Sequence, residues 1–123
     1  MANFKSAILT TGSFSESATT AGQTLIAPVD VQNEDRLSFQ FINKDSTGTN
    51  KDTIKVYGRL ATTSGTLGGA SEWTQIGDNI VVSGSTSSLK SISTTGLMWC
   101  GVTIDPTATH ASLNHDWAML RQA

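Results

Sequence analysis

The sequence predicts an all-β fold: an antiparallel β-sandwich of the jelly-roll kind, with about eight strands and little or no helix. Three observations carry that expectation. Serine and threonine fill 33 of the 123 positions, and such residues favour strands and turns over helix, because threonine is β-branched and serine competes for backbone hydrogen bonds. Apolar residues alternate with polar ones wherever they gather, which is the two-residue period of a strand. Short clusters of Gly, Asn, Asp and Ser then separate the alternating patches at regular intervals, as turns do in sandwiches and barrels.

Taken in order, the first patch is FKSAILT, about residues 4 to 10, and the second is TLIAPVDVQ, 24 to 32. Pro28 has no N–H to give to a ladder, so this second strand belongs at a sheet edge or carries a bulge. RLSFQFIN puts Leu37, Phe39 and Phe41 on one face, and TIKVYGRL puts Ile54, Val56 and Leu60 opposite Lys55, Tyr57 and Arg59. Shorter strands are expected at 73 to 76, 79 to 83 and 87 to 92, with Gly77-Asp78 as the turn of a hairpin that points Ile80 and Val82 inward. LMWCGVTI is apolar on both sides, with Met98, Cys100, Val102 and Ile104 against Leu97, Trp99, Gly101 and Thr103. Such a strand is covered on both faces, or its outer face meets a partner. The final stretch, HASLNHDWAMLRQA, has helical spacing at Leu113, Trp117 and Leu120. It equally makes a strand face of Leu113, His115, Trp117 and Met119, and the DPTAT turn before it favours a strand, closing a hairpin with the one before.

A chain of this length suits one domain that buries roughly two-thirds of its unfolded surface. Residues 36–123 are expected to form the sandwich, with 1–35 as an N-terminal arm lying along a neighbouring subunit or as its first strands. Eight basic and ten acidic residues are scattered singly, for a net charge of −2. That is no footprint for nucleic acid, which takes clustered cations. No stretch reaches the roughly 20 apolar residues of a membrane helix, and the apolar patch Ala7–Leu9 is too short for a signal-peptide core. A soluble chain made in a cytoplasm is the expectation. The single Cys100 excludes an internal disulfide.

Catalytic groups are scarce. There is no G-x-S-x-G elbow and no phosphate loop, and His110 and His115 are the sole histidines, so no catalytic residue and no cofactor is assigned and the chain reads as a non-enzyme. The two histidines lie an odd number apart, on opposite faces of a strand, and are expected to be half-exposed rather than to share a metal. Asn43, Asp45, Thr47 and Gly48 open like a calcium loop, but Ile54 stands where such loops place a glutamate, which favours a solvated hairpin tip. Cys100 is expected to be a small hydrophobe, and Glu34-Asp35 a solvated turn. The residues left for an interface or a ligand are Tyr57, Trp99, Trp73 and Trp117. Tyr57 and Trp99 stand opposite the apolar rows of their strands, either covered or displayed, while Trp73 suits a lid over a sandwich end.

The succession DTIKVYGRL, SEWTQIGDNIVV, SGSTSSL, GLMWCGVTI and ASLNHDWAMLR resembles small β-sandwich virion proteins of tailed bacteriophages. An I-x-V-x-G-x-L strand and a W-x-x-I-G-x-x-I hairpin recur in that group, and the resemblance spans roughly residues 36 to 121. It implies a structural protein, first of all a capsid decoration or stabilising subunit, with neck, tail or head-fibre parts as relatives. It also implies a homo-oligomer, a trimer foremost, that binds the major capsid protein or other virion subunits. The chain would be made in the host cytoplasm and reside in the virion. The alternative is a glycan-binding module that stacks sugars on Tyr57, Trp99 or Trp73, a role a virion protein can combine with the first.

Overall fold

In RLSFQFIN every second side chain is buried, and the rings of Phe39 and Phe41 stack 5.5 Å apart on the inner side. The same alternation builds the rest of the molecule. The computed structural model describes residues 7–16, 22–45, 51–67, 72–106 and 113–123. They form nine strands: β1 (Ala7–Glu16), β2 (Gln23–Asp30), β3 (Arg36–Asn43), β4 (Lys51–Arg59), β5 (Thr74–Gln75), β6 (Ile80–Ser83), β7 (Thr86–Ser93), β8 (Trp99–Pro106) and β9 (Leu113–Gln122), with no helix among the described residues. Phe4, Thr47, Gly48 and His110 lie outside them.

Two antiparallel sheets face each other. The first has the order β1-β9-β3-β7, and the second β2-β8-β4, with β5 and β6 following one another along the free edge of β4. Counting β5 and β6 as one broken strand leaves four strands per sheet. The chain changes sheet at nearly every connection, which is the jelly-roll arrangement. The core between the sheets takes Leu37, Phe39, Phe41, Ile92 and Met119 from the first, and Leu25, Ile26, Ile54, Val56, Val82, Cys100, Val102 and Ile104 from the second. Burying a side chain of this size stabilises the fold by about 1.5–3 kcal/mol.

The elements depart from the sequence reading in four places. β8 and β9 do not form a hairpin: β9 crosses to the other sheet and lies between β1 and β3. Period-two alternation is identical for a strand that turns back and one that crosses over, so spacing does not distinguish them. Likewise β5 and β6 do not pair with each other. Gly77, at φ 74°, offsets one continuing strand, and Gln75 Nε2 braces the offset by donating to Gly77 O and Asn79 Oδ1; this backbone is easy for glycine. Ile80 and Val82 do face inward, with Val82 buried. Leu60 falls past the end of β4 and is 69% exposed, while Gly58 takes the inner position beneath Ile76 and Leu97. Glu34, finally, is no solvated turn residue: Arg121 on β9 grips its carboxylate at 2.7 and 2.9 Å.

β2 meets the expectation for Pro28 in both respects. It is an edge strand, and its register against β8 shifts twice between Thr24 and Val29.

Candidate interaction surface

Three side chains on or beside the second sheet hold down the segment that follows β4. Trp99 Nε1 donates to Ala61 O at 3.1 Å, Arg59 Nη1 to Ser64 O at 2.8 Å, and Trp73 Nε1 to Thr66 O at 3.1 Å. Arg59 also lies over the Trp73 ring at 5.8 Å and pairs with Glu72 at 3.2 Å. Leu67 is thereby pressed onto Gly101, the one β8 position whose missing side chain leaves room for it. β8 is thus covered on both faces by its own chain, which explains a strand apolar on both sides.

The four aromatic residues singled out from the sequence do not converge on one site. Trp73 is buried and Trp99 half-buried, with both indole N–H groups engaged within the chain. Tyr57 is half-buried on the outer side of β4. Trp117 belongs to the other sheet. Its ring crosses Gly12 on β1, where even a Cβ would stand 2.5 Å from the ring.

His115 is fully buried rather than half-exposed. Its Nε2 lies 2.6 Å from Oδ2 of Asp52, itself fully buried on the facing sheet. Asn43 Nδ2 donates to the same carboxylate oxygen at 3.3 Å and to Val82 O at 3.0 Å. A polar cluster therefore ties β3 and β9 to β4 and β6 through the end of the core. The sequence carried a signal for it: Asn43 continues the inward parity of Phe41, Asp52 that of Ile54, and His115 that of Met119. The expectation of a solvated hairpin tip at Asn43 concealed it, since β3 and β4 lie in different sheets. Among the described residues no three His, Cys, Asp or Glu side chains gather as metal ligands. Burial pushes the Cys100 thiol up to about 12, far from a reactive thiolate.

The outer faces of the two sheets differ. The second carries Lys51, Lys55, Arg59 and Asp105 and is partly roofed by residues 60–67. The first is open. Its middle presents Leu9 and Thr11 from β1, Ala118 and Leu120 from β9, Ser38 and Gln40 from β3, and Leu89 and Ser91 from β7. Among the described residues, charge appears only towards the ends of this face, as the Lys44–Asp116 pair and Arg36. Leu9 is 63% and Leu89 78% exposed, and a shallow groove of about 220 Å³ runs between them over Ala118 and Leu120. Nothing in the alternation had marked these leucines, because a reading that seeks the core discards the outward parity.

This two-sheet architecture is shared with solved structures of several kinds. The chain superposes on the capsid protein of "decameric BFDV Capsid Protein" with a TM-score of 0.56 and 6% identity, over 97% of this chain and 96% of that one. It superposes on the protein of infectious bursal virus derived T=1 particles with a TM-score of 0.55 and 13% identity, over 96% of this chain and 31% of that one. The SPBc2 prophage-derived protein YomS gives 0.52 at 11% identity, over 94% and 96%. No family model and no curated relative matches the chain. Identities this low define the class by fold alone: a jelly-roll β-sandwich.

Proposed function

We propose that the chain is a structural virion subunit of a bacteriophage, of the kind that decorates or stabilises a capsid by associating with copies of itself and with the shell. The observation that carries the reading is the open outer face of the first sheet, which is uncharged through its middle and bears protruding leucines. Interfaces between subunits place depleted charge and apolar anchors at their centre. The fold likeness to a capsid protein, to the protein of virus-derived T=1 particles and to a prophage-derived protein supports the same assignment. A closed ring, with three copies as the first expectation, suits a homo-oligomeric surface subunit. The major capsid protein is the partner that the open face would meet.

Binding to isolated shells tests this. Leu89→Asp places a charge midway along the β7 side of the face without touching the core, and is expected to weaken shell binding at least tenfold while the far-ultraviolet circular dichroism stays unchanged. Binding at the native level by that variant overturns the assignment of the face.

A further inference from the structure

The four sheet edges are unequally protected. β2 is blunted by Pro28 and two register shifts, β5 and β6 are interrupted at Gly77, and β7 carries Lys90 in mid-strand. These are the devices by which an edge avoids pairing with a foreign strand. β1 has none of them. Its ten residues, AILTTGSFSE, pair with β9 without a break and contain no proline and no charge before Glu16. Ile8 and Leu9 protrude from it at 57% and 63% exposure.

We propose that β1 pairs antiparallel with β1 of a second copy about a two-fold axis at Thr11, joining the first sheets of two subunits into one sheet of eight strands. The strand is self-complementary in that register. Thr11 stands opposite its own mate, Leu9 opposite Ser13 and Ala7 opposite Ser15 on the outer side. On the inner side Ile8 meets Phe14 twice, an aromatic pair with a β-branched residue of the kind that stabilises antiparallel strands. No charged residue falls within the nine paired positions. Strand addition of this kind satisfies the free backbone groups of the edge at about one hydrogen bond per paired residue.

The pairing also enlarges the open face. Four strands about 4.8 Å apart and about eight residues long at about 3.4 Å per residue present roughly 500 Å², short of the ~800 Å² per partner typical of a stable interface. Two copies joined at β1 present roughly 1,000 Å² continuously. A two-fold edge contact is compatible with a three-fold ring, the two together giving six copies in dihedral symmetry. The inference concerns the pairing of free subunits and stands apart from the shell-binding reading.

Cysteine scanning tests the register. Opposed Cα atoms across an antiparallel pair lie about 4.5–5.5 Å apart, within the ~4.4–6.8 Å that a disulfide spans. Under a mild oxidant Thr11→Cys is expected to convert at least half of the protein to a disulfide-linked dimer on a non-reducing gel. Leu9→Cys alone is expected to give none, and an equal mixture of Leu9→Cys with Ser13→Cys a cross-linked heterodimer. The native chain is the control, since its Cys100 is buried. Sedimentation velocity supplies the second readout: Thr11→Lys, which sets like charges against each other on the axis, is expected to weaken dimerisation at least tenfold with an unchanged circular dichroism spectrum. Equal cross-linking by Leu9→Cys and Thr11→Cys, or an unlinked Thr11→Cys together with a Thr11→Lys that sediments like the native chain, overturns the proposal. A native chain that does not bind shells, with the Thr11→Cys cross-link formed as expected, overturns only the capsid reading.

Discussion

Replacing His115 by leucine removes the ring nitrogen 2.6 Å from the Asp52 carboxylate and leaves that carboxylate in the core with Asn43 as the donor described to it. Both members of the pair are fully buried, so water cannot compensate. Breaking a buried pair from one side costs about 3–5 kcal/mol, because the surviving partner stays desolvated. A domain of this size holds only about 5–15 kcal/mol in total. At a urea dependence of about 1–3 kcal/mol per molar, the unfolding midpoint is expected to fall by about 2 M. The same reasoning fixes the sign of the coupling. Asp52→Val alone is also expected to be costly, while the double variant His115→Leu, Asp52→Val replaces the pair with apolar volume and is expected to lie more than about 1.5 kcal/mol above the sum of the single losses. Equilibrium unfolding by fluorescence measures all four corners of the cycle. Additivity within about 0.5 kcal/mol, or a loss below about 1 kcal/mol for His115→Leu, would refute the claim that this pair is a coupled cross-link between the sheets.

Other consequences are open to simpler assays. Trp99→Phe removes the N–H that holds Ala61 and is expected to cost about 0.5–1.5 kcal/mol; limited proteolysis is expected to cut within residues 60–67 faster than in the native chain. Gly12→Val puts side-chain atoms where the Trp117 ring lies and is expected to cost about 1–3 kcal/mol through the displaced ring, visible as a lower melting temperature. The Cys100 thiol is held protonated to about 12, against an ordinary value of 9.0. Above pH 9 the unfolded chain releases a proton that the folded chain keeps, so stability is expected to fall as pH rises from 9 towards 12. Cys100→Ala is expected to flatten that part of the stability-against-pH curve; an unchanged slope would contradict the assignment. In native protein a thiol reagent at pH 8 is expected to react with Cys100 only as fast as the chain unfolds.

Inward parity makes most of the fold legible in the sequence. Leu37, Phe39, Phe41, Ile54, Val56, Cys100, Val102 and Ile104 all stand in the core where alternation puts them. Pro28 marked its edge correctly, because a missing N–H is a local property that no tertiary context restores. Connectivity was less legible. Whether β9 folds back on β8 or crosses to β3 depends on which apolar faces close against each other, and neighbours in sequence say nothing of that. The polar cluster was hidden for a related reason. Asn43, Asp52 and His115 are ordinary surface residue types, and each becomes affordable inside only because the other two are there. Trp73 and Trp99 drew attention as large aromatics, while the groups that use them, the carbonyls of Thr66 and Ala61, carry no sequence signature at all.

The proposed virion role places this chain in a particle. Density-gradient fractions of particles from cells carrying the gene, with this chain and the major shell protein quantified by mass spectrometry, test it most directly. A fixed ratio of the two across the particle band, surviving a second gradient, is expected. A chain left entirely in the soluble fraction, with none in the band, would contradict it.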